Sequence, residues 1–380
     1  MHVRSTLVGA TALLLSAALA ATAAAATGPA SSSGGHGATR KAVEAAVAAG
    51  VPGATATATD AHGAWSATAG TGDLRTGAPR SAADRYRVGS ITKTFVATVL
   101  LQLEAEGRLS LDDKVDKWLP GVVRGHGHDG RRVTVRQLLN HTSGVFDYTA
   151  DEDFDRAYFL KDGFFQHRYD TLTPQELVAI AMKHAPDFAP GATWKYSNTN
   201  YILAGMVIGK VTGHSYATEI NRRVIGPLHL TATSLPGTRV TVPQPSSRAY
   251  SKLSLTATGP TYDVTTLNPS IASSAGEMIS DSADLDRFYA ALLRGKLLPA
   301  RQLKEMKATV KIDGDPNTRY GLGLMDTRLT CGTHVWGHAG GIHGSTTTAV
   351  TTADGRHALA FNFNGDWTGS HAAVVEAEFC

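Results

Sequence analysis

Apolar residues follow two different periods in the first third of the chain. Residues 40–49 carry alanine and valine at helical spacing, whereas residues 51–59 and 64–70 alternate small and β-branched side chains. These patterns predict a helix followed by a β-hairpin. Residues 91–106 place large apolar side chains at i, i+4 and i+8 and stop before a glycine. That spacing predicts a buried amphipathic helix with Ser90 at its start.

The rest of the chain separates into a helical middle and a strand-rich end. Residues of about 110–310 mix short helical patterns with loops, and an alanine- and valine-rich segment at 371–379 predicts a closing helix. The predicted strands of the last part are 334–337, 345–352 and 357–363. Strand patterns in about 40–90 and about 320–380 predict one sheet built from both chain ends, which carries a large helical insertion.

Composition places the chain among folded globular proteins. It has 380 residues, of which 42% are hydrophobic and 18% charged, and its formal net charge is +3. A disordered polymer is excluded because such chains have few apolar residues. The small net charge gives no reason to expect a nucleic-acid partner.

The N-terminus has the pattern of an export signal. A weakly positive start is followed by an apolar run from residue 7 to 19 and an alanine-rich stretch over 20–26. We therefore expect a signal peptide at 1–26, a flexible lead at 27–39 and a catalytic domain at 40–380. The mature protein is expected to be secreted and extracellular, without a membrane contact. An uncleaved N-terminal anchor is the alternative.

The two cysteines agree with export. In an oxidising compartment Cys331 and Cys380 are most simply joined in one disulfide, and two unpaired thiols are the alternative. The bond would close a loop of about 50 residues, which the chain-entropy model values at about 4 kcal/mol. Neither cysteine has a metal-ligating neighbour at close spacing, so no metal site is predicted.

Ser90 and Lys93 have the S-x-x-K spacing of a nucleophile and its base. At a helix start, residues three apart share a face, which puts Lys93 beside the Ser90 hydroxyl. A serine becomes nucleophilic when a neighbouring base takes its proton, and a lysine can serve if burial lowers its pKa. The alternative is a helix cap with a solvated lysine.

Two further motifs follow in order along the chain. Tyr196-Ser197-Asn198 offers a phenol acid or base and a substrate-binding amide, and His338-Ala339-Gly340 begins a run of small residues that continues through Gly341. Small residues let a substrate backbone lie along a strand edge. The backbone amides of Ser90 and Gly341 are candidates for an oxyanion hole. Each motif alone has an ordinary structural explanation, so they gain weight only together.

The combined motifs resemble the β-lactamase-related serine hydrolases, a family that includes class C β-lactamases and secreted D-Ala-D-Ala carboxypeptidases. The resemblance runs from about residue 43 to the end of the chain. The stretches that carry it are RVGSITKTFVATVLLQL, TVRQLLNHTSGVFDYT, PGATWKYSNTNYILAGMVI, SSAGEMISDSADLDRF, YGLGL and WGHAGG. His338 in place of a lysine, together with the two cysteines, resembles the carboxypeptidase branch.

The resemblance implies a fold and a set of roles. The fold would be an α/β sandwich of the serine β-lactamase and DD-peptidase type, with an antiparallel sheet flanked by helices and an inserted helical region. Ser90 would be the acylated nucleophile, Lys93 its proton partner and Tyr196 the general base and acid, while His338 would support the Tyr196–Lys93 proton network. The substrate-binding residues would be Asn198, Ala339, Gly340 and Gly341.

The same resemblance implies the partners of the protein. No metal and no organic cofactor is implied. The substrate would be a small peptide or a cell-wall peptide containing D-amino acids, and β-lactams would acylate the serine. A monomer is the default expectation.

Three positions depart from the carboxypeptidase pattern. Ala339 and Gly341 lack the hydroxyl groups that help to bind a free terminal carboxylate, and Met325 stands where an assisting arginine is expected. Arg328, three residues further on, would point to the opposite face of a strand. Loss of such charge-assisted hydrogen bonds costs roughly 1.5–3 kcal/mol each.

Two main hypotheses of function remain open at this point. A D-Ala-D-Ala carboxypeptidase-like hydrolase is the leading one, and a D-aminopeptidase, D-amidase or carboxylesterase on the same fold is the alternative. A β-lactamase and a non-catalytic penicillin-binding protein are lesser alternatives. Because an ordinary histidine has a pKa near 6.5, we also expect His338 to change activity between roughly pH 5.5 and 7.5.

Overall fold

The computed structural model describes residues 35–380, so the predicted signal peptide at 1–26 lies outside the described residues. The first helix begins at Gly37, so it includes the last three residues of the expected flexible lead. Its start is held because the Thr39 hydroxyl donates a 2.6 Å hydrogen bond to Glu378 in the last helix. The part of the lead from 37 to 39 is therefore ordered structure.

Helices fill the middle of the described chain and cover both of its ends. Short 3-10 turns lie at Gly89–Ile91, Tyr148–Ala150 and Pro269–Ile271, and a π-helical turn at Asn221–Ile225. The α-helices are α1 (Gly37–Ala48), α2 (Thr92–Ala105), α3 (Val115–Trp118), α4 (Val135–Leu139), α5 (Glu152–Tyr158), α6 (Lys161–His167), α7 (Pro174–Ala181), α8 (Asn198–Thr212), α9 (Tyr216–Ile220), α10 (Gly226–Leu228), α11 (Ser273–Gly276), α12 (Ser282–Leu293), α13 (Ala300–Met306) and α14 (His371–Phe379).

Strands come from the two ends of the chain, with short pairs between them. They are β1 (Gly53–Asp60), β2 (Gly63–Asp73), β3 (Ala78–Pro79), β4 (Tyr86–Arg87), β5 (Arg124–Gly125), β6 (His128–Asp129), β7 (Tyr250–Ser251), β8 (Tyr262–Asp263), β9 (Ile279–Ser280), β10 (Val310–Ile312), β11 (Asp315–Tyr320), β12 (Met325–Arg328), β13 (His334–Ile342), β14 (Ser345–Thr352) and β15 (Ala358–Phe363).

One antiparallel sheet organises the molecule. Nine strands pair in the order β10-β11-β12-β13-β14-β15-β1-β2-β3. The strand β1 lies between β15 and β2, with Ala56 opposite both Phe361 and Ala67. The start and the end of the described chain are thus joined inside one sheet, which confirms the predicted α/β architecture with an inserted helical region.

The strands β1, β14 and β15 are buried on both faces of the sheet. Leu359, Phe361 and Phe363 point to one face and pack with Val43 of α1 and Val374 of α14. Residues of alternate parity, such as Ala360, face the other side and join the larger core formed by the helical region. The alternation in β15 confirms the predicted strand, although every residue of this strand is buried.

Helix α2 lies at the centre of the helical region. The helix was expected to bury one apolar face, but every residue from Thr92 to Leu101 is buried. Phe95 stacks on Phe288 of α12 at a ring-centre distance of 3.6 Å. A helix enclosed on all sides gives the residues at its N-terminus a fixed position.

The C-terminal helix is fastened by a covalent bond. Cys331, in the turn before β13, is joined to Cys380 at the end of α14, which confirms the predicted disulfide. Among residues 35–380, no helix combines the length and the hydropathy needed to cross a bilayer.

Candidate active site

A serine and a lysine meet at the start of α2. Ser90 lies in the 3-10 turn Gly89–Ile91, and Lys93 lies in the first turn of the helix. The Lys93 Nζ atom is 2.9 Å from the Ser90 Oγ atom. Ser90 is partly exposed, whereas Lys93 is fully buried. The S-x-x-K spacing therefore places an accessible hydroxyl against an amine that is shielded from water.

The surroundings of Lys93 make its neutral form available near pH 7. Burial lowers the pKa of Lys93 to about 7, and the charge of Asp147 acts in the opposite direction. The Lys93 ammonium also donates to Asn198 Oδ1 and to the Ala275 carbonyl, both at 2.8 Å. Because these two oxygens only accept hydrogen bonds, the neutral amine keeps its hydrogens on them and turns its lone pair to Ser90. Lys93 is placed to take the Ser90 proton.

Tyr196 lies beside the same pair. The centre of its ring is 4.8 Å from the Lys93 Nζ atom, and it is on the loop before α8. Burial raises the pKa of Tyr196, while the nearby Ser90 hydroxyl lowers it to a smaller extent. The phenol therefore stays protonated in the range where Lys93 titrates. This favours the acid half of the acid and base role that the resemblance implies.

Asn198 links the lysine to a buried carboxylate. It begins α8, accepts a hydrogen bond from Lys93 and donates from Nδ2 to Asp147 Oδ2 at 3.1 Å and to Thr149 Oγ1 at 3.3 Å. Asp147 is almost fully buried and its pKa is raised, mainly by burial. Asn198 is a predicted site residue, whereas Asp147 had no predicted role although it lies in the stretch TSGVFDYT.

Strand β13 approaches the Ser90 turn more closely than side chains would allow. A β-carbon on Gly340 would lie 2.7 Å from the Ser90 backbone nitrogen, and one on Gly89 would lie 2.6 Å from the Gly341 nitrogen. Gly89 also has a φ of +52°, which L side chains rarely adopt. The two glycines allow the Ser90 turn and the Gly341 segment to approach each other closely, an arrangement that the oxyanion-hole hypothesis needs.

The Ser90 side chain opens onto a cleft of about 390 Å³. The predicted site residues that line it are Ser90, Tyr196, Asn198 and Gly341. Apolar side chains form much of the remaining wall, among them Phe159, Ile271, Ile342 and Trp367. Such a surface suits an apolar substrate side chain next to the reacting bond.

Other predicted binding residues lie elsewhere. His338 and Ala339 line a second cavity of about 780 Å³ between the sheet and the start of α14, together with Met325 and Arg328. In the part of the chain that the structure describes, no arginine lines the Ser90 cleft. Lys252 does, but its Nζ atom donates to the Gly259 carbonyl and the Thr261 hydroxyl, both at 2.8 Å.

His338 corrects an expectation from the sequence. Burial and the Lys93 charge lower the pKa of His338 to about 3, so the prediction that it changes charge between pH 5.5 and 7.5 is wrong. It also does not hydrogen-bond with Tyr196 or Lys93. Its Nε2 atom is 2.8 Å from the Tyr320 hydroxyl, and its Nδ1 atom contacts the Ala339 carbonyl. His338 is therefore a neutral ring in the working range.

His338 is one end of a buried chain of hydrogen bonds that the sequence did not reveal. His141 Nδ1 accepts from the Ser197 backbone amide at 3.2 Å, which leaves the proton on Nε2, 3.2 Å from the Tyr320 hydroxyl. Tyr320 can then donate to His338, whose Nδ1 proton goes to Ala339. His141 also packs on the Tyr196 ring at a centre distance of 4.3 Å.

The residues of this hydrogen-bond chain lie in recognisable stretches of the sequence, but those stretches did not indicate their role. His141 belongs to NHTSG and Tyr320 to YGLGL, which were both part of the resemblance without a role. Two clusters of His, Cys, Asp or Glu side chains in residues 35–380 come close enough to share an ion, and neither lies in the Ser90 cleft.

An antiparallel sheet next to an accessible serine that contacts a buried lysine defines a serine hydrolase of the β-lactamase and penicillin-binding-protein fold. The chain belongs to the Beta-lactamase family, whose model matches residues 39–376. The family expected from the three motifs is thereby confirmed.

Solved structures extend the comparison. A D-stereospecific amidohydrolase from Streptomyces sp. is 61% identical, with a TM-score of 0.87, and the match covers 91% of this chain and 99% of the other. A D-amino acid amidase from Ochrobactrum anthropi SV3, solved with L-phenylalanine amide, is 28% identical with a TM-score of 0.77, over 90% and 97% of the two chains.

Sequence relatives include a penicillin-binding protein. Penicillin-binding protein 4* of Bacillus subtilis is 28% identical over 299 residues, which cover 73% of this chain and 60% of the relative. Protein flp of Staphylococcus aureus is 34% identical over 154 residues, 40% of this chain and 28% of the relative. The chain thus matches less than two thirds of the length of these relatives.

Proposed function

We propose that this protein is a D-stereospecific serine amidohydrolase, which cleaves the amide bond on the carboxyl side of a D-amino acid through an acyl-Ser90 intermediate. The observation that carries the proposal is the Ser90–Lys93 pair in a cleft that no arginine lines among the described residues. The similarity to the Streptomyces amidohydrolase over nearly the full length of that enzyme supports the same choice.

Acylation begins with the neutral amine of Lys93. It takes the Ser90 proton, and the Ser90 oxygen attacks the substrate carbonyl carbon. The backbone amides of Ser90 and Gly341 bind the oxyanion that forms. As the carbon–nitrogen bond breaks, Tyr196 donates its proton to the leaving nitrogen and recovers one from the Lys93 ammonium. The proton of Ser90 thus ends on the released amine, and the acyl group stays on Ser90.

Deacylation reverses these transfers with water in place of the amine. Water gives a proton to Lys93 through Tyr196 and attacks the ester carbon, and Ser90 regains a proton as the acid product leaves. The products are ammonia or an amine and the D-amino acid. The apolar wall of Phe159, Ile271 and Trp367 receives the side chain of that amino acid.

Among the described residues that line the Ser90 cleft, the lack of an arginine supports the amidase hypothesis over the carboxypeptidase hypothesis. A D-Ala-D-Ala carboxypeptidase must bind the free carboxylate of its leaving group, which an arginine does best. Met325 and Arg328 line the other cavity, and the Lys252 ammonium is already bound by two oxygens. The amide of a D-amino acid has no such carboxylate, so the cleft suits it better.

A substrate comparison tests the proposal. D-phenylalanine amide, L-phenylalanine amide, an acyl-D-Ala-D-Ala peptide and its C-terminal amide are assayed with the same preparation. We expect kcat/KM to favour the D over the L amide and the peptide amide over the free acid, each by more than tenfold, about 1.4 kcal/mol. Preference for the free acid by the same factor would restore the carboxypeptidase hypothesis.

The nucleophile is tested separately from the specificity. Mass spectrometry after an activated D-ester or benzylpenicillin is expected to show an adduct on Ser90 and none in Ser90→Ala. A wild-type protein that forms no adduct with any acyl donor would contradict the mechanism itself.

We also propose that the mature chain is exported. The test is whether the protein is found in the culture medium with residues 1–26 removed.

A further inference from the structure

Two histidines and a glutamate from distant parts of the chain meet far from Ser90 in the sequence. His36 directly precedes α1, His357 precedes β15 and Glu378 lies in the last turn of α14. Their nearest ligand atoms all lie within 4.8 Å of one another. We propose that these three side chains bind a zinc ion that joins both terminal helices to the sheet.

The contacts of Glu378 show how the ligands converge. The Glu378 Oε1 atom is 2.9 Å from His36 Nδ1 and 2.6 Å from His357 Nε2. Around tetrahedral zinc, with bonds of about 2.0–2.1 Å, ligand atoms are about 3.4 Å apart. A zinc ion therefore requires that these atoms separate by less than about 1 Å, which side-chain rotation can provide.

Each proposed ligand side chain also makes a second contact that fixes its orientation, as is usual at metal sites. The second oxygen of Glu378 accepts a 2.6 Å hydrogen bond from the Thr39 hydroxyl. The second nitrogen of His36 lies 3.9 Å from Asp60 Oδ2, and its ring stacks on Trp65 at 4.7 Å. The His357 ring packs against Phe379 at 4.6 Å. These contacts orient the donor atoms toward one point.

The donor set selects the kind of metal. Two imidazole nitrogens and one carboxylate oxygen suit zinc, whereas calcium and magnesium prefer oxygen ligands only. Three protein ligands leave a fourth position for water. The side chain of Glu378 is 1% exposed and that of His357 28% exposed, so the site has a buried floor and an open side for entry of the ion.

A charge argument points in the same direction. Without a cation, one carboxylate oxygen has to satisfy two imidazoles, and the nearby Asp60 adds a second negative group. A divalent ion neutralises both carboxylates and uses the imidazole lone pairs. The position next to the Cys331–Cys380 disulfide gives the C-terminal helix a second attachment two residues from the first.

Zinc titration of the metal-free, disulfide-bonded protein by calorimetry tests the proposal. We expect one ion per chain and a rise of the melting temperature of at least about 2 °C at saturation. His357→Ala and Glu378→Gln are each expected to weaken binding by roughly 100-fold, and Thr39→Val, behind the ligand, by about tenfold. Hydrolysis at Ser90 is expected to be unchanged without zinc.

A matched control is available on the same sheet. His334 Nδ1 lies 2.8 Å from Asp326 Oδ1, a histidine–carboxylate pair that belongs to no three-ligand cluster among the described residues. His334→Ala is expected to bind zinc as the wild type does. Equal affinity in His357→Ala and wild type would overturn the proposal, as would the lack of stoichiometric binding by the wild type.

A spectroscopic measurement keeps the test valid if a variant fails to fold. Cobalt(II) added to the unaltered protein is expected to give the intense visible absorption of a four-coordinate ion, and zinc is expected to displace it. Weak absorption, typical of hexahydrated cobalt, would overturn the proposal without any substitution.

Discussion

Single residues set the pH range in which the site works. Lys93 acts as a base only when it is neutral, and burial lowers its pKa to about 7. We expect kcat/KM to rise about tenfold per pH unit below pH 7 and to level off above it. The measurement is the pH profile of D-phenylalanine amide hydrolysis. A flat profile between pH 5.5 and 8 would contradict the role of Lys93.

Asp147 provides a control for that assignment. Its charge raises the pKa of Lys93, so Asp147→Asn is expected to move the acid limb of the profile to lower pH. Asparagine keeps one oxygen for the hydrogen bond from Asn198 and loses the one that accepts from the Thr149 backbone amide, so it removes the charge at the cost of one hydrogen bond. A profile that moves to higher pH, or does not move, would show that another group titrates.

Tyr320 is a positioning residue between two buried histidines. Tyr320→Phe leaves the Nε2 atoms of His141 and His338 without their hydrogen-bond partner, at a cost of about 1–3 kcal/mol per group in unfolding free energy. Because His141 packs on Tyr196, we also expect kcat to fall about tenfold with little change in KM. Denaturant unfolding and steady-state kinetics measure the two effects.

A second buried tyrosine separates stability from catalysis. The Tyr86 hydroxyl is 2.7 Å from Ser282, and neither residue lines the Ser90 cleft. Tyr86→Phe is expected to lower stability by about 1 kcal/mol and to leave kcat unchanged. An equal loss of kcat in both variants would mean that Tyr320 matters only for folding.

At the scale of elements, the contact between β13 and the Ser90 turn positions the reacting groups. Gly340→Ala places a methyl group 2.7 Å from the Ser90 nitrogen, so the turn and the strand must separate. A displacement of about 1 Å at a catalytic centre can cost 10²-fold, and we expect kcat/KM to fall by about that factor. Kinetics with an activated D-ester measure it.

The control for this substitution is a glycine with free space around it. A β-carbon on Gly209 in α8 would have its nearest neighbour at 3.8 Å, and helical alanine is favoured over glycine by about 1 kcal/mol. Gly209→Ala is expected to keep full activity. Full activity in Gly340→Ala as well would show that the close approach is not needed.

The bounds of an element can be predicted from the sequence when local periodicity sets them, but not when pairing with another element sets its length. The period of α14 is local, and its predicted bounds, 371–379, match those observed. For β13 the prediction ended at 337 because small residues follow, whereas pairing with β14 extends the strand to Ile342. The Ser90–Lys93 contact follows from helix geometry, but the His141–Tyr320–His338 chain joins three distant segments and exists only in the folded protein.

For the whole molecule, the sheet makes folding depend on both ends of the chain. Because β1 pairs with β15, the inner part of the sheet forms only when the last strand is present. The helix α14 then covers the face that carries Phe361 and Phe363, and the disulfide holds it there. The helical region carries Tyr196 and Asn198, but the strand β13 next to Ser90 belongs to this sheet. Hence the catalytic geometry depends on β1, β15 and α14, which contain no catalytic group.

Deletion of residues 371–380 tests this dependence. It exposes one face of the sheet, removes two buried valines worth about 1.5–3 kcal/mol each, Val374 and Val375, and breaks a disulfide worth about 4 kcal/mol. The sum, about 7–10 kcal/mol, is comparable with the total stability of a typical domain, about 5–15 kcal/mol. We expect the truncated protein to lack a cooperative thermal transition and acylation at Ser90.

The double variant Cys331→Ser/Cys380→Ser is the control, because it loses the disulfide and keeps the helix. It is expected to fold and to be acylated at Ser90, and to melt at a lower temperature than the wild type. A truncated protein that still acylates would show that the helical region holds Ser90, Lys93 and Tyr196 together without this cover.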